Sequence, residues 1–248
     1  MSAPLGYELR FWTEFGRLLT DTRFWMPARP ALAGPSERND RRQPVLLIPG
    51  FLAGDASLTV LATWLRRRGH AVRHSGIRLN VGCAGRELDR LGTLLEAFEE
   101  PVVVIGQSRG GTLARALAAR HPDQVAAVMT LGSPVLDQLA VSPSVLRTVR
   151  SVAWLGDIGL RGLFTTECRE GVCCSEFRTL LNAPLRDDAP AVAVYSRTDA
   201  IVDWRACLDP AAEWIEVDGS HCGMAVNAVV YRELERLLER SEEIMWNR

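Results

Sequence analysis

The sequence predicts an α/β fold with a mainly parallel sheet and helices on both faces. Three observations carry this. The chain has 248 residues, 47% hydrophobic and 24% charged, which is ordinary globular composition and suits one α/β domain. From Pro44 onward, short apolar runs alternate with helical patterns. The main runs are near-continuously apolar, as strands covered on both faces must be.

Residues 1–43 read as a helix followed by a linker. Leu5, Leu9, Trp12, Phe15 and Leu19 recur at steps of three or four, marking one helical face. The polar face carries Glu8, Arg10, Glu14, Arg17, Asp21 and Arg23, with balanced signs. A helix lying on a membrane surface is normally cationic there, so docking on the protein's own body is expected, with surface association the alternative. Residues 27–44 are Pro-rich and charged, and read as an exposed linker.

The α/β domain is expected over 44–248. Strand runs stand at 45–48, 71–72, 102–105, 125–131, 192–195 and 214–217, the second short and weak. Helical patterns lie near 55–69, 85–99, 109–121 and 225–240. One interval, 134–188, is far too long for an ordinary connection. It is helical in pattern near 145–155 and reads as a cap inserted over the active face. Ligands of such sheets sit at the carboxyl ends of the strands, so the loops after each run are where chemistry is sought.

Composition removes several function classes. All 29 basic residues are Arg, which excludes lysine Schiff-base chemistry, pyridoxal-phosphate attachment and a Walker lysine. A net charge of −1 leaves no field to hold nucleic acid. No apolar run approaches the ~18–20 residues that span a bilayer. The first residues lack the basic-then-apolar layout of a signal peptide, so a cytoplasmic location is expected.

The strongest chemical signal is Gly106-Gln107-Ser108-Arg109-Gly110. It directly follows the run 102–105 and opens a helical segment, the strand–turn–helix setting of a nucleophile elbow. The turn is tight, so glycine is needed at 106 and 110. It lifts the Ser108 hydroxyl above the sheet at a helix N-terminus, where the dipole favours developing negative charge. A serine hydroxyl needs a base. Of four histidines, only His221 follows a late strand; His70 and His74 precede the serine and His121 closes the far end of its helix. The base needs an acid to fix its tautomer. In the chain order Ser…Asp/Glu…His, Asp199 is favoured because it follows the run 192–195, with Asp203 the alternative. The oxyanion donors are expected from the backbone N–H of Arg109 and of Phe51, the latter on the loop after the first strand.

Four segments together resemble the α/β-hydrolase superfamily, and more narrowly its small bacterial lipases and esterases. They are PVLLIPGF (44–51), IGQSRGG (105–111), YSRTDAIV (195–202) and GSHCGM (219–224). Pro49 stands where those enzymes usually carry His, and their early antiparallel strands are not evident in 1–43. The resemblance implies a three-layer α/β-hydrolase fold. It implies Ser108 as nucleophile, Asp199 as acid and His221 as base, with Phe51 and Arg109 as oxyanion donors. It implies cleavage of a small-molecule carboxylic ester through an acyl-enzyme, without metal or cofactor. Thioester hydrolysis or acyl transfer with the same triad is the alternative. A catalytically silent binding protein of the same fold is the reading from another class.

Six cysteines in so long a chain make no disulfide scaffold, and none of their spacings reads as a zinc knuckle. Most are expected as free thiols. Candidate disulfides are Cys207 with Cys222, which would pin the acid and base loops, and Cys168 with Cys173 or Cys174. Arg109 is costly to bury unpaired. Its expected partner is a carboxylate of the cap (Asp137, Asp157 or Glu167) or an acidic group of the substrate.

Overall fold

Six strands form one parallel sheet among the described residues of the computed structural model, which are 43–246 with Thr13, Glu14 and Gly16. The strands are β1 (Pro44–Ile48), β2 (Ala71–His74), β3 (Val102–Gln107), β4 (Val125–Leu131), β5 (Ala191–Tyr195) and β6 (Glu213–Glu216). Their spatial order is β2-β1-β3-β4-β5-β6. Most of the expected N-terminal helix and linker lies outside the described residues, though Thr13, Glu14 and Gly16 are helical.

The apolar runs follow from two-sided burial. Successive side chains point to opposite faces of a strand. Val45 and Leu47 of β1 join Val103 and Ile105 of β3 in one core, with α1 (Thr59–Arg67) and α7 (Ala228–Trp246). Leu46 and Ile48 join Val102 and Val104 in the other, with α2 (Ala84–Leu95), α3 (Arg109–Arg120) and α6 (Ser175–Asn182). Every residue of β1, β3 and β4 is buried. The edge strands β2 and β6 have four residues each and are partly exposed, so they carry weaker apolar signals.

Between β4 and β5 the chain forms α4 (Pro143–Asp157), α5 (Thr166–Glu170) and α6. The two short helices α5 and α6 are additions to the expected single helix near 145–155. Val152 of α4 packs with Phe164 and Val81, against Phe51 and Ala153. This places the segment over the carboxyl end of β1.

Candidate active site

The order of the sheet reverses between β1 and β3. From β1 the chain steps outward to β2, then returns to place β3 on the other side of β1. At such a reversal the outgoing loops diverge and leave a crevice at the carboxyl ends of the strands. Ile48 is in register with Gly106, so the loops starting at Pro49 and Ser108 face each other across it. A Cβ added to Gly50 would stand 3.2 Å from Ser108 Cβ. The Asn80 amide, donating to the Pro49 carbonyl at 2.7 Å, pins the first of these loops.

Ser108 sits at φ 52°, ψ −124° and caps α3. A non-glycine residue held there costs about 1–3 kcal/mol, which the surrounding turn must supply. Glycine makes the turn possible on both sides: a Cβ at Gly106 would collide with the Gly110 carbonyl, and one at Gly110 with the Ile48 carbonyl. Arg109 is the first residue of α3, so its N–H has no intrahelical acceptor and lies beside the serine.

His221 follows β6 and lies buried beside Asp199, whose Oδ2 is 2.6 Å from His221 Nδ1. The other oxygen, Oδ1, accepts the N–H groups of Ile201 and Val202, both at 2.8 Å. An ionised carboxylate can only accept, so the tautomer with its proton on Nδ1 is the one that makes this contact a hydrogen bond, with Nε2 as the basic nitrogen. The Gln107 amide donates to the His221 carbonyl at 3.2 Å, tying the histidine loop to the residue before Ser108. Asp203, the alternative acid, instead caps a short turn by accepting the Arg205 N–H and pairs with the Arg205 side chain. His74 ends edge strand β2 and His121 caps the far end of α3.

Sequence reasoning missed one residue of this neighbourhood. Glu14 falls on the polar face of the expected N-terminal helix, yet it is buried. Its carboxylate accepts the Ser220 N–H and hydroxyl, each at 2.8 Å, directly before His221. The balanced charges of that helix gave no sign of which carboxylate turns inward. Glu14→Ala is expected to leave the Ser220 N–H buried without an acceptor, at about 1–3 kcal/mol. Thermal denaturation should show that loss. Glu14→Gln, which keeps an acceptor, should recover most of it.

Ser108, Arg109, Phe51 and His221 all line one cavity of ≈ 1270 Å³, with Phe164, Trp154, Leu146 and Val149 from the β4–β5 segment. Phe164 packs on Phe51 at 6.1 Å between ring centroids. Arg109 pairs with none of the cap carboxylates Asp137, Asp157 and Glu167: Asp137 accepts the Leu139 N–H and Asp157 binds Thr166. Its guanidinium donates to the Gly82 carbonyl at 2.5 Å and lies 5.2 Å from the Phe164 ring centroid. Burial pulls its pKa below the ordinary value, opposed first by Glu87 and then by three cysteines. The candidate pinning disulfide does not form: Cys207 is buried with Tyr195 and Val202 as a free thiol, while Cys222 is exposed at the cavity. The cysteines of 168–174 are also unbridged.

A family model described as alpha/beta hydrolase fold matches residues 95–158, which include β3, the Ser108 turn and α3. Among solved structures, the lipase BlEst2 of Bacillus licheniformis superposes with a TM-score of 0.60 at 16% identity, covering 80% of this chain and 93% of that one. Mouse alpha/beta hydrolase domain-containing protein 10 gives 0.56 at 20% identity, over 79% and 90%. The thioesterase domain from the curacin biosynthetic pathway gives 0.53 at 15%, over 80% and 91%. A sequence search of curated proteins finds no match. No described helix is long and apolar enough to cross a membrane. A six-stranded parallel sheet covered on both faces, the family match across β3 and α3, and these superpositions agree: the chain has the α/β-hydrolase fold.

Proposed function

We propose that the protein is a serine hydrolase that cleaves carboxylic esters through an acyl-enzyme on Ser108. The observation that carries this reading is the buried His221–Asp199 pair opening onto the same cavity as the strained Ser108. In this mechanism His221 Nε2 takes the Ser108 proton as Oγ attacks the acyl carbonyl. The N–H groups of Arg109 and Phe51 receive the oxyanion. Collapse expels the alcohol, protonated by His221, and leaves the acyl group on Ser108. Water, deprotonated by His221, then attacks the ester, and the acid departs as the serine recovers its proton. Asp199 holds the imidazole in the useful tautomer and stabilises its cation.

The segment 134–188 acts in this reading as a cap that sets acyl preference. The cavity exceeds the ~300–1,000 Å³ of ordinary small-molecule sites, and Phe164, Leu146 and Val149 give it apolar walls. Hydrolysis of a thioester uses the same groups and draws support from the likeness to a thioesterase domain.

A fluorophosphonate probe followed by peptide mass spectrometry tests the nucleophile: labelling is expected on Ser108 alone. A series of p-nitrophenyl esters from acetate to palmitate, with matched acyl thioesters, tests the substrate. Medium and long acyl esters are expected to be preferred, and Phe164→Ala should shift that preference. No labelling of Ser108 would overturn the enzyme reading in favour of a silent binding protein. Faster turnover of thioesters would overturn the choice of oxygen ester.

A further inference from the structure

Four cysteines converge behind Arg109 from three parts of the chain. Cys83 caps the N-terminus of α2, Cys168 stands in α5, and Cys173 and Cys174 lie in the turn between α5 and α6. All four sulfurs lie within 4.8 Å of one another. Cys83 Sγ is 3.4 Å from Cys174 Sγ, which is 3.8 Å from Cys173 Sγ. Zinc holds thiolates at about 2.3 Å in a tetrahedron, which sets neighbouring sulfurs about 3.8 Å apart. A disulfide would need a pair at about 2.05 Å, well inside the 3.4 and 3.8 Å found for these pairs.

Two hydrogen-bond donors face one of these sulfurs. The Thr165 N–H points at Cys168 Sγ at 3.4 Å, with the Thr165 hydroxyl at 3.5 Å. Such outer donors orient thiolate ligands and spread their charge. Gly85 passes so close to Cys173 that a Cβ would collide with its carbonyl, so glycine lets the turn reach α2. The buried Arg109 guanidinium donates to the carbonyl of Gly82, next to Cys83, and lies within electrostatic range of Cys83, Cys168 and Cys174. A zinc tetrathiolate carries net −2, which Arg109 partly offsets. Cys173 is exposed and gives the ion a way in.

We propose that Cys83, Cys168, Cys173 and Cys174 bind one zinc ion in a closed tetrathiolate site that fastens the turn after α5 to the N-terminus of α2. Binding exchanges four thiol protons for the ion, with no change of oxidation state. Four protein ligands leave no open position, so the site is structural. Through Gly82 it also steadies Arg109, the residue after the candidate nucleophile. The site rests on its own ligands and stands independently of the ester chemistry.

The test uses the full chain, purified under reductant without chelator. Elemental analysis is expected to find about one zinc per chain. After stripping with a chelator, titration with Co²⁺ should give a thiolate-to-cobalt charge-transfer band and strong tetrahedral d–d bands that saturate at one equivalent. Zinc should raise the Tm of the stripped protein by about 5 °C or more. Cys83→Ser and Cys173→Ser should each weaken Co²⁺ binding at least about tenfold, while Cys222→Ser leaves it unchanged. If these variants fail to fold, the cobalt titration of the unaltered chain decides. Absence of the charge-transfer band there would overturn the site. So would a disulfide among these four cysteines in peptides of the native protein.

Discussion

Ser108→Ala and His221→Ala are each expected to remove nearly all ester turnover, roughly 10⁴–10⁶-fold, because in the proposed mechanism nucleophile and base act as one unit. The double variant should lose little more than either single one. Asp199→Asn should cost about 10⁴-fold for a reason visible in the hydrogen bonds. The N–H groups of Ile201 and Val202 both point at Oδ1, so the amide oxygen of Asn must face them. Its NH₂ then faces His221 Nδ1, where the carboxylate Oδ2 now lies at 2.6 Å. The imidazole is forced to accept at Nδ1 and carry its proton on Nε2, and it can no longer take a proton from Ser108. Asp203→Asn touches only the Arg205 turn and should stay near wild-type turnover. Steady-state kinetics on p-nitrophenyl esters, with circular dichroism to confirm folding, checks all five. A larger loss from Asp203→Asn than from Asp199→Asn in folded protein would reverse the choice of acid.

What the sequence reveals of this fold and what it hides have physical causes. The central strands were legible because both of their faces are buried, which forces apolar residues at successive positions, as in Val102-Val103-Val104-Ile105. The elbow was legible because a tight strand-to-helix turn admits so few residue types around Ser108. The short helix α6 was missed, although Phe177 and Leu181 carry a one-turn apolar pair, because two turns give too little periodicity to detect. Two features were invisible for a deeper reason: they are made by distant parts of the chain. Glu14 meets Ser220 across almost the whole sequence, and Cys83 joins Cys168, Cys173 and Cys174 only because α2 and the β4–β5 segment pack side by side. Motif spacing reads local geometry and has no access to such meetings.

Asp209→Ala is expected to cost about 3–5 kcal/mol of stability, because it strands a buried guanidinium. Arg115 lies on α3 and pairs through Nε with Asp209 Oδ2 at 2.6 Å, both side chains only 3% exposed. The same guanidinium donates to the carbonyls of Leu180 at 3.3 Å and Ala183 at 2.5 Å, at the end of α6. Asp209 in turn accepts the Ala211 N–H through Oδ1 and the Trp214 indole through its own carbonyl, just before β6. One buried cation thus joins the helix that carries Ser108 to α6 and to the edge of the sheet. At roughly 2–4 °C per kcal/mol for a chain of this size, the Tm should fall by about 6–20 °C. Asp209→Asn, which still offers Arg115 an acceptor of the same shape, should lose less. The double change Arg115→Met with Asp209→Leu removes both charges and should regain part of the loss, though the Ala183 carbonyl then lacks the Arg115 donor. Urea denaturation of the four proteins measures the series. A loss under about 1 kcal/mol for Asp209→Ala would mean that water reaches Arg115 and that the pair does not hold these elements together.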